Sequence, residues 1–85
     1  MKSIVIGLGY FGKIIKSKLE KKSNVEIITV DPYNINADYK SLDEINFTDG
    51  KWFVTSPAST HHSILIELFN KGIKDIWVEE PISPT

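Results

Sequence analysis

The sequence contains no cysteine and no arginine, and it has no long apolar run. Without cysteine there is neither a disulfide nor a thiolate nucleophile, and a reducing compartment is compatible with the composition. Without arginine there is no bidentate guanidinium clamp on a phosphate. A bound phosphate must then be held by backbone N–H groups, a helix dipole or one of the lysines. No apolar stretch approaches the roughly 20 residues that span a bilayer. The chain opens without the charged start and long apolar run of a signal peptide. The net charge of −1 gives no pull toward nucleic acid or an anionic membrane. These features predict a soluble, cytoplasmic protein that does not bind nucleic acid or membrane.

What is present is alternation. Lys2 to Ile6 is a short β-branched run that stops at Gly7, as a buried parallel strand does. Tyr10 to Lys22 follows with helical spacing, Phe11, Ile14, Ile15, Lys18 and Leu19 forming one stripe. Val25 to Val30 reads as a second strand closed by Asp31-Pro32, since proline has no N–H for a ladder. Residues 33–50 carry little periodicity. Within them Ser41 and Glu44 have capping-box spacing, and Thr48-Asp49-Gly50 reads as a turn. Trp52 to Thr55 is a third strand. Ser59 or Thr60 is expected to cap a helix that buries Ile64, Leu65, Leu68 and Phe69 and stops near Gly72. Asp75 to Val78 is a fourth strand.

Strands alternating with helices imply a parallel sheet with right-handed crossovers. The expected fold is α/β, a Rossmann-like open parallel sheet of about four strands in the order 2-1-3-4 with helices on both faces. Residues 1–85 are expected to form one truncated dinucleotide-binding domain. The switch point of such a sheet lies at the C-terminal end of the first strand, where Gly7 begins.

Gly7-x-Gly9-x-x-Gly12 directly follows a predicted strand and opens a predicted helix, the context that turns a common glycine pattern into a dinucleotide fingerprint. Gly7 permits the tight turn, Gly9 lets the backbone approach a pyrophosphate, and Gly12 lets helix pack closely on strand. The free amides of the first helical turn, near Tyr10 and Phe11, face the anion along the helix dipole. Asp31 falls about 20 residues further on, at the end of the second strand, where a ribose-binding acid belongs. Its charge repels a 2′-phosphate, and no lysine follows in Pro32-Tyr33-Asn34 to reverse that. NAD is therefore expected in preference to NADP.

Three pieces in order resemble the N-terminal domain of the glucose–fructose oxidoreductase / inositol dehydrogenase / rhizopine catabolism (Gfo/Idh/MocA) family. They are Ile6-Gly7-Leu8-Gly9-Tyr10-Phe11-Gly12 with Asp31, then Ser56-Pro57-Ala58-Ser59-Thr60-His61, similar to that family's Thr-Pro-x-x-x-His, then Val78-Glu79-Glu80-Pro81, similar to its Glu-Lys-Pro. The resemblance covers nearly the whole chain. It implies an NAD(P)-dependent sugar or polyol dehydrogenase fold, with Ser56 and Pro57 along the nicotinamide side, His61 starting the helix beside them, and Glu79 near the nicotinamide ribose. Two departures stand out. Glu80 replaces the motif lysine, and the substrate domain that carries the family's catalytic histidine or aspartate does not follow. The resemblance thus implies cofactor binding, and the departures speak against turnover by this chain alone.

No catalytic residue and no metal site is assigned. His61 and His62 are adjacent and point about 100° apart on a helix, unlike a ligand pair at i and i+4. Three functions stay open: the cofactor part of an oxidoreductase, a free-standing nucleotide-binding protein without catalysis, and a self-assembling domain with a vestigial fingerprint. Apolar residues of Trp52-Phe53-Val54 and Ile76-Trp77-Val78 are expected to be partly exposed on a half sheet, which predicts a homodimer or higher oligomer.

Overall fold

The computed structural model describes residues 1–78; the expectations for Glu79, Glu80 and Pro81 lie outside the described residues. Four strands, β1 (Lys2–Ile6), β2 (Glu26–Val30), β3 (Lys51–Val54) and β4 (Ile76–Val78), form one sheet in the order β2-β1-β3-β4. Every pairing is parallel, with Ile4 beside both Ile28 and Trp52, and Trp52 beside Ile76. The sequence order and the spatial order agree with the expected Rossmann-like open sheet.

Successive side chains of a strand point to opposite faces, and the core divides accordingly. Ile4, Ile6, Ile28, Val30, Trp52 and Val54 gather on one face with Leu68 of helix α2 (His61–Lys71) and with Leu42 and Ile45. Val5 lies on the other face under helix α1 (Tyr10–Glu20), packed with Leu8 and Leu19 and flanked by Ile15, Ile27 and Phe53. Among the described residues, each face of the sheet therefore carries one helix. No helix among the described residues is long and apolar enough to cross a membrane.

The helices depart from the sequence expectation in instructive ways. Helix α1 ends at Glu20, short of Lys22, and the chain then turns through Asn24 at a positive φ of 64°. Its buried line runs through Gly12 and Leu19, with Ile15 half-buried between them, and Phe11 and Lys18 are exposed. Close contact at Gly12 sets the face, so Phe11 swings outward, where its ring meets Tyr10 edge-on at 5.4 Å. In α2 Leu68 is fully buried, whereas Phe69 is 66 % exposed and does not join the core. A short 3-10 turn, Ala58–Thr60, precedes α2. Thr60 stands at the cap position without capping: its hydroxyl lies 2.6 Å from the Pro57 carbonyl and 2.7 Å from Ser56 Oγ. Gly72 ends α2 in the left-handed conformation, as expected.

The segment with little periodicity has a defined path. Asp38 Oδ2 accepts from both the amide and the hydroxyl of Thr29, and Tyr39 makes a single parallel bridge to Val30. That bridge covers the end of the edge strand β2. The 3-10 helix Leu42–Glu44 then folds Leu42 into the core, and Glu44 Oε1 accepts from the amides of Lys40 and Ser41. Trp52 and Val54, expected to be partly exposed, are fully buried by this segment and α2; Phe53, Ile76, Trp77 and Val78 are half-buried.

Candidate functional site

At the C-terminal ends of β1, β2 and β3 the chain makes a turn in which nearly every group is fixed. The Gly7 amide donates to the Val30 carbonyl at 2.8 Å. The buried Thr55 hydroxyl lies 2.8 Å from the Gly7 carbonyl oxygen and 3.0 Å from that of Ile6, and the Thr55 amide donates to the same Ile6 oxygen. Gly7 has φ +93°, and a Cβ there would stand 2.6 Å from Ser56 Cα. Both the conformation and the space demand glycine. A Cβ on Gly12 would overlap the Gly7 carbonyl oxygen and crowd Thr55 Oγ1, so this glycine is demanded by the contact between α1 and the turn.

Gly9 differs. Its φ of −74° and ψ of −156° are open to any residue, and a Cβ there meets nothing within 4 Å. The fold makes no use of the missing side chain. Gly9 also supplies no side-chain cap to α1. The first-turn amides of Tyr10, Phe11 and Gly12 have no intrahelical partner by virtue of their position. The approach to this helix start over Gly9 is clear.

Asp31 lies at the end of β2, beside this turn, and its carboxylate is heavily used. Oδ2 accepts from the Leu8 amide at 2.7 Å, and Oδ1 accepts from the amides of Tyr33 at 2.8 Å and Asn34 at 3.2 Å. One side chain thus holds the glycine turn and starts the loop that follows β2.

These groups border an open cleft of about 810 Å3. Gly7, Leu8 and Gly9 form its base. Asp31 to Ile35 form one wall, Ser56, Pro57 and the Thr60, Ile64, Glu67 face of α2 another, and Lys40 to Asp43 complete the lining. Its size lies within the range of small-molecule sites, and its place at the switch point of an open parallel sheet is where such folds bind ligands.

Of the residues singled out in the sequence, Gly7, Gly9, Asp31, Ser56 and Pro57 meet on this cleft. Gly12 sits behind it, against the turn. The Tyr10 and Phe11 side chains are exposed and do not border it; only their amides belong to the helix start. His61 does not reach it either. Its ring is buried, and Nε2–H donates to the Ser56 carbonyl at 2.7 Å, fixing the Ser56-Pro57 corner against Gly7. Glu79 lies outside the described residues. Sequence reasoning missed Thr55 and the cleft wall built by residues 33–43. Thr55 carries no motif, and that wall is made by pairing with β2, which leaves no periodic trace.

Comparison with protein-family models, with curated proteins and with solved structures returns no match. The functional reading of the cleft accordingly rests on the residues that build it.

Proposed function

We propose that this chain binds NAD, with the pyrophosphate over Gly9 at the start of α1. The observation that carries the reading is the contrast among the three glycines. Gly7 and Gly12 are required by the folded chain itself, whereas Gly9 leaves open space that a Cβ would enter. A glycine without an internal reason, at a helix start facing a cleft, suits a ligand that comes up against the backbone. The helix dipole, worth about 0.3–1 kcal/mol for an exposed anion, favours a diphosphate there. Leu42 and Ile64 give the cleft an apolar lining suited to adenine.

On this reading the chain is the cofactor-holding part of an oxidoreductase, which accords with the motif resemblance to the Gfo/Idh/MocA family. Bound nicotinamide would supply hydride chemistry. This chain's residues bind and orient: Thr55 and Asp31 shape the turn, and His61 and Thr60 hold the Ser56-Pro57 corner on the nicotinamide side. Calorimetric titration with NAD and with ADP tests the proposal. Saturable heat with both ligands supports it. No heat and no thermal protection at millimolar ligand refutes it.

A further inference from the structure

The two edges of the sheet differ. At the β2 edge the chain covers itself. The Thr29 amide donates to Asp38 Oδ2 at 2.9 Å, the Thr29 carbonyl accepts from the Tyr39 amide, and the Asp31 amide donates to the Tyr39 carbonyl. The β4 edge has no such cover: among the described residues no strand lies outside it. The Asp75 carbonyl accepts from the Trp52 amide at 2.9 Å, and the register sets Trp52 beside Ile76. Backbone groups of successive strand residues alternate in direction, so Asp75 and Trp77 turn theirs toward β3. Ile76 and Val78 therefore present N–H and C=O outward.

Edge strands that stay unpaired are guarded by charge, proline, a bulge or a covering segment. Ile76-Trp77-Val78 carries no charge and no proline, and all three residues are half-buried. On the α2 face Ile76 and Val78 extend the core. On the α1 face the Trp77 ring meets Phe53 at 5.7 Å and, among the described residues, joins neither core group.

We propose that β4 pairs antiparallel with β4 of a second copy of this chain, about a twofold axis at Trp77, joining two four-stranded sheets into one. The edge is complementary to itself in this register. Ile76 exchanges both backbone bonds with the partner's Val78, Val78 does the same with the partner's Ile76, and the two Trp77 rings meet at the axis. An axis at Ile76 would instead set Lys74 against the partner's Val78 and Asp75 against the partner's Trp77, charge against apolar surface. The net charge of −1 leaves little repulsion between copies. Pro81 and Pro84 in the sequence that follows lack the N–H that a pairing strand donates, which favours a second copy over that segment. Since Asp38 and Tyr39 cover the β2 edge, the pairing closes at two copies.

The test follows the purified chain by sedimentation equilibrium from about 10 µM to about 1 mM, the range of weak interfaces. The expected result is a monomer–dimer equilibrium, with amide exchange of Ile76 and Val78 slowing as concentration rises. Trp77→Lys sets like charges opposite each other at the axis and should weaken the dimer at least about tenfold. Glu26→Lys, an exposed change on the far edge strand, should leave its Kd within about twofold. The native chain has no cysteine, so Trp77→Cys supplies one thiol per copy. Opposed residues of a non-hydrogen-bonded pair have Cα atoms about 4.5 Å apart, within disulfide reach. Trp77→Cys should therefore cross-link on mild oxidation, and Glu26→Cys should not. A monomer at the highest concentration, a dimer indifferent to Trp77→Lys, or equal cross-linking of the two cysteine variants would overturn the proposal. Circular dichroism separates a lost interface from a lost fold, and the exchange of the native chain reads the edge without any substitution.

Discussion

Replacing Asp31 by alanine should cost the fold dearly, whether or not a ligand is present. The side chain accepts three backbone N–H bonds, and their settings differ. The Leu8 amide belongs to a buried residue and is met at 2.7 Å by a charged oxygen. Loss of a bond of that kind costs about 1.5–3 kcal/mol, because the donor is left without a partner. The Tyr33 amide is solvent-accessible and that of Asn34 partly so, and water can replace the carboxylate for each at about 0.5 kcal/mol. The sum is about 2.5–4 kcal/mol, against a total of about 4–13 kcal/mol for a chain of this length. Urea unfolding followed by tryptophan fluorescence, which reports the fully buried Trp52 together with the half-buried Trp77, reads the change. With a slope of about 1 kcal/mol/M, the midpoint should fall by about 2 M or more. Asp31→Asn keeps one carbonyl oxygen for the Tyr33 and Asn34 amides and loses the charged acceptor for Leu8. It should recover only the smaller share, about 1 kcal/mol. A midpoint for Asp31→Ala within 0.5 M of the native value, about half a kcal/mol at that slope, would refute the view that this carboxylate holds the turn.

Other substitutions separate residues the fold needs from residues it does not. Gly12→Ala should destabilise by about 2–3 kcal/mol through overlap with the Gly7 carbonyl, and Gly9→Ala should stay within about 0.5 kcal/mol of native in the same urea assay. Leu68→Ala should cost about 2–5 kcal/mol and Phe69→Ala less than about 0.5, since the first is fully buried and the second largely exposed; equal thermal shifts for the two would contradict the orientation of α2. Thr55→Val, which keeps the shape and removes the hydroxyl that bonds at the ends of β1, should lower stability by about 1–2 kcal/mol and broaden the amide resonances of Gly7 and Leu8 in NMR spectra.

Much of this arrangement was legible in the residues. The β-branched runs of β1 and β2, the glycines between β1 and α1, and the glycine ending α2 are local signals with direct physical causes, and the alternation of strands and helices that they mark predicts the observed strand order. What was illegible depends on tertiary contact. The wall formed by residues 33–43 is built by one bridge from Tyr39 to Val30 and by Asp38 reaching Thr29, neither of which follows a 2.0 or 3.6 period. Phe11 and Phe69 read as core residues because they are large and apolar at helical spacing. The approach of α1 at Gly12 and the position of Leu68 turn both outward. Asp31 and His61 stand at the strand end and the helix start that the sequence predicts, and their side chains bind backbone: the amides of Leu8, Tyr33 and Asn34 in one case and the Ser56 carbonyl in the other. A motif reports where a polar residue stands; its hydrogen bonds decide what it serves.

The most direct measurement pairs NAD titration of the native chain with titration of Gly9→Val. The valine side chain enters space that the folded chain leaves empty. The account therefore predicts an unfolding midpoint close to native together with NAD affinity reduced at least about a hundredfold, the loss expected when a side chain displaces a diphosphate from the helix start. Unchanged NAD affinity in a folded Gly9→Val protein would contradict it.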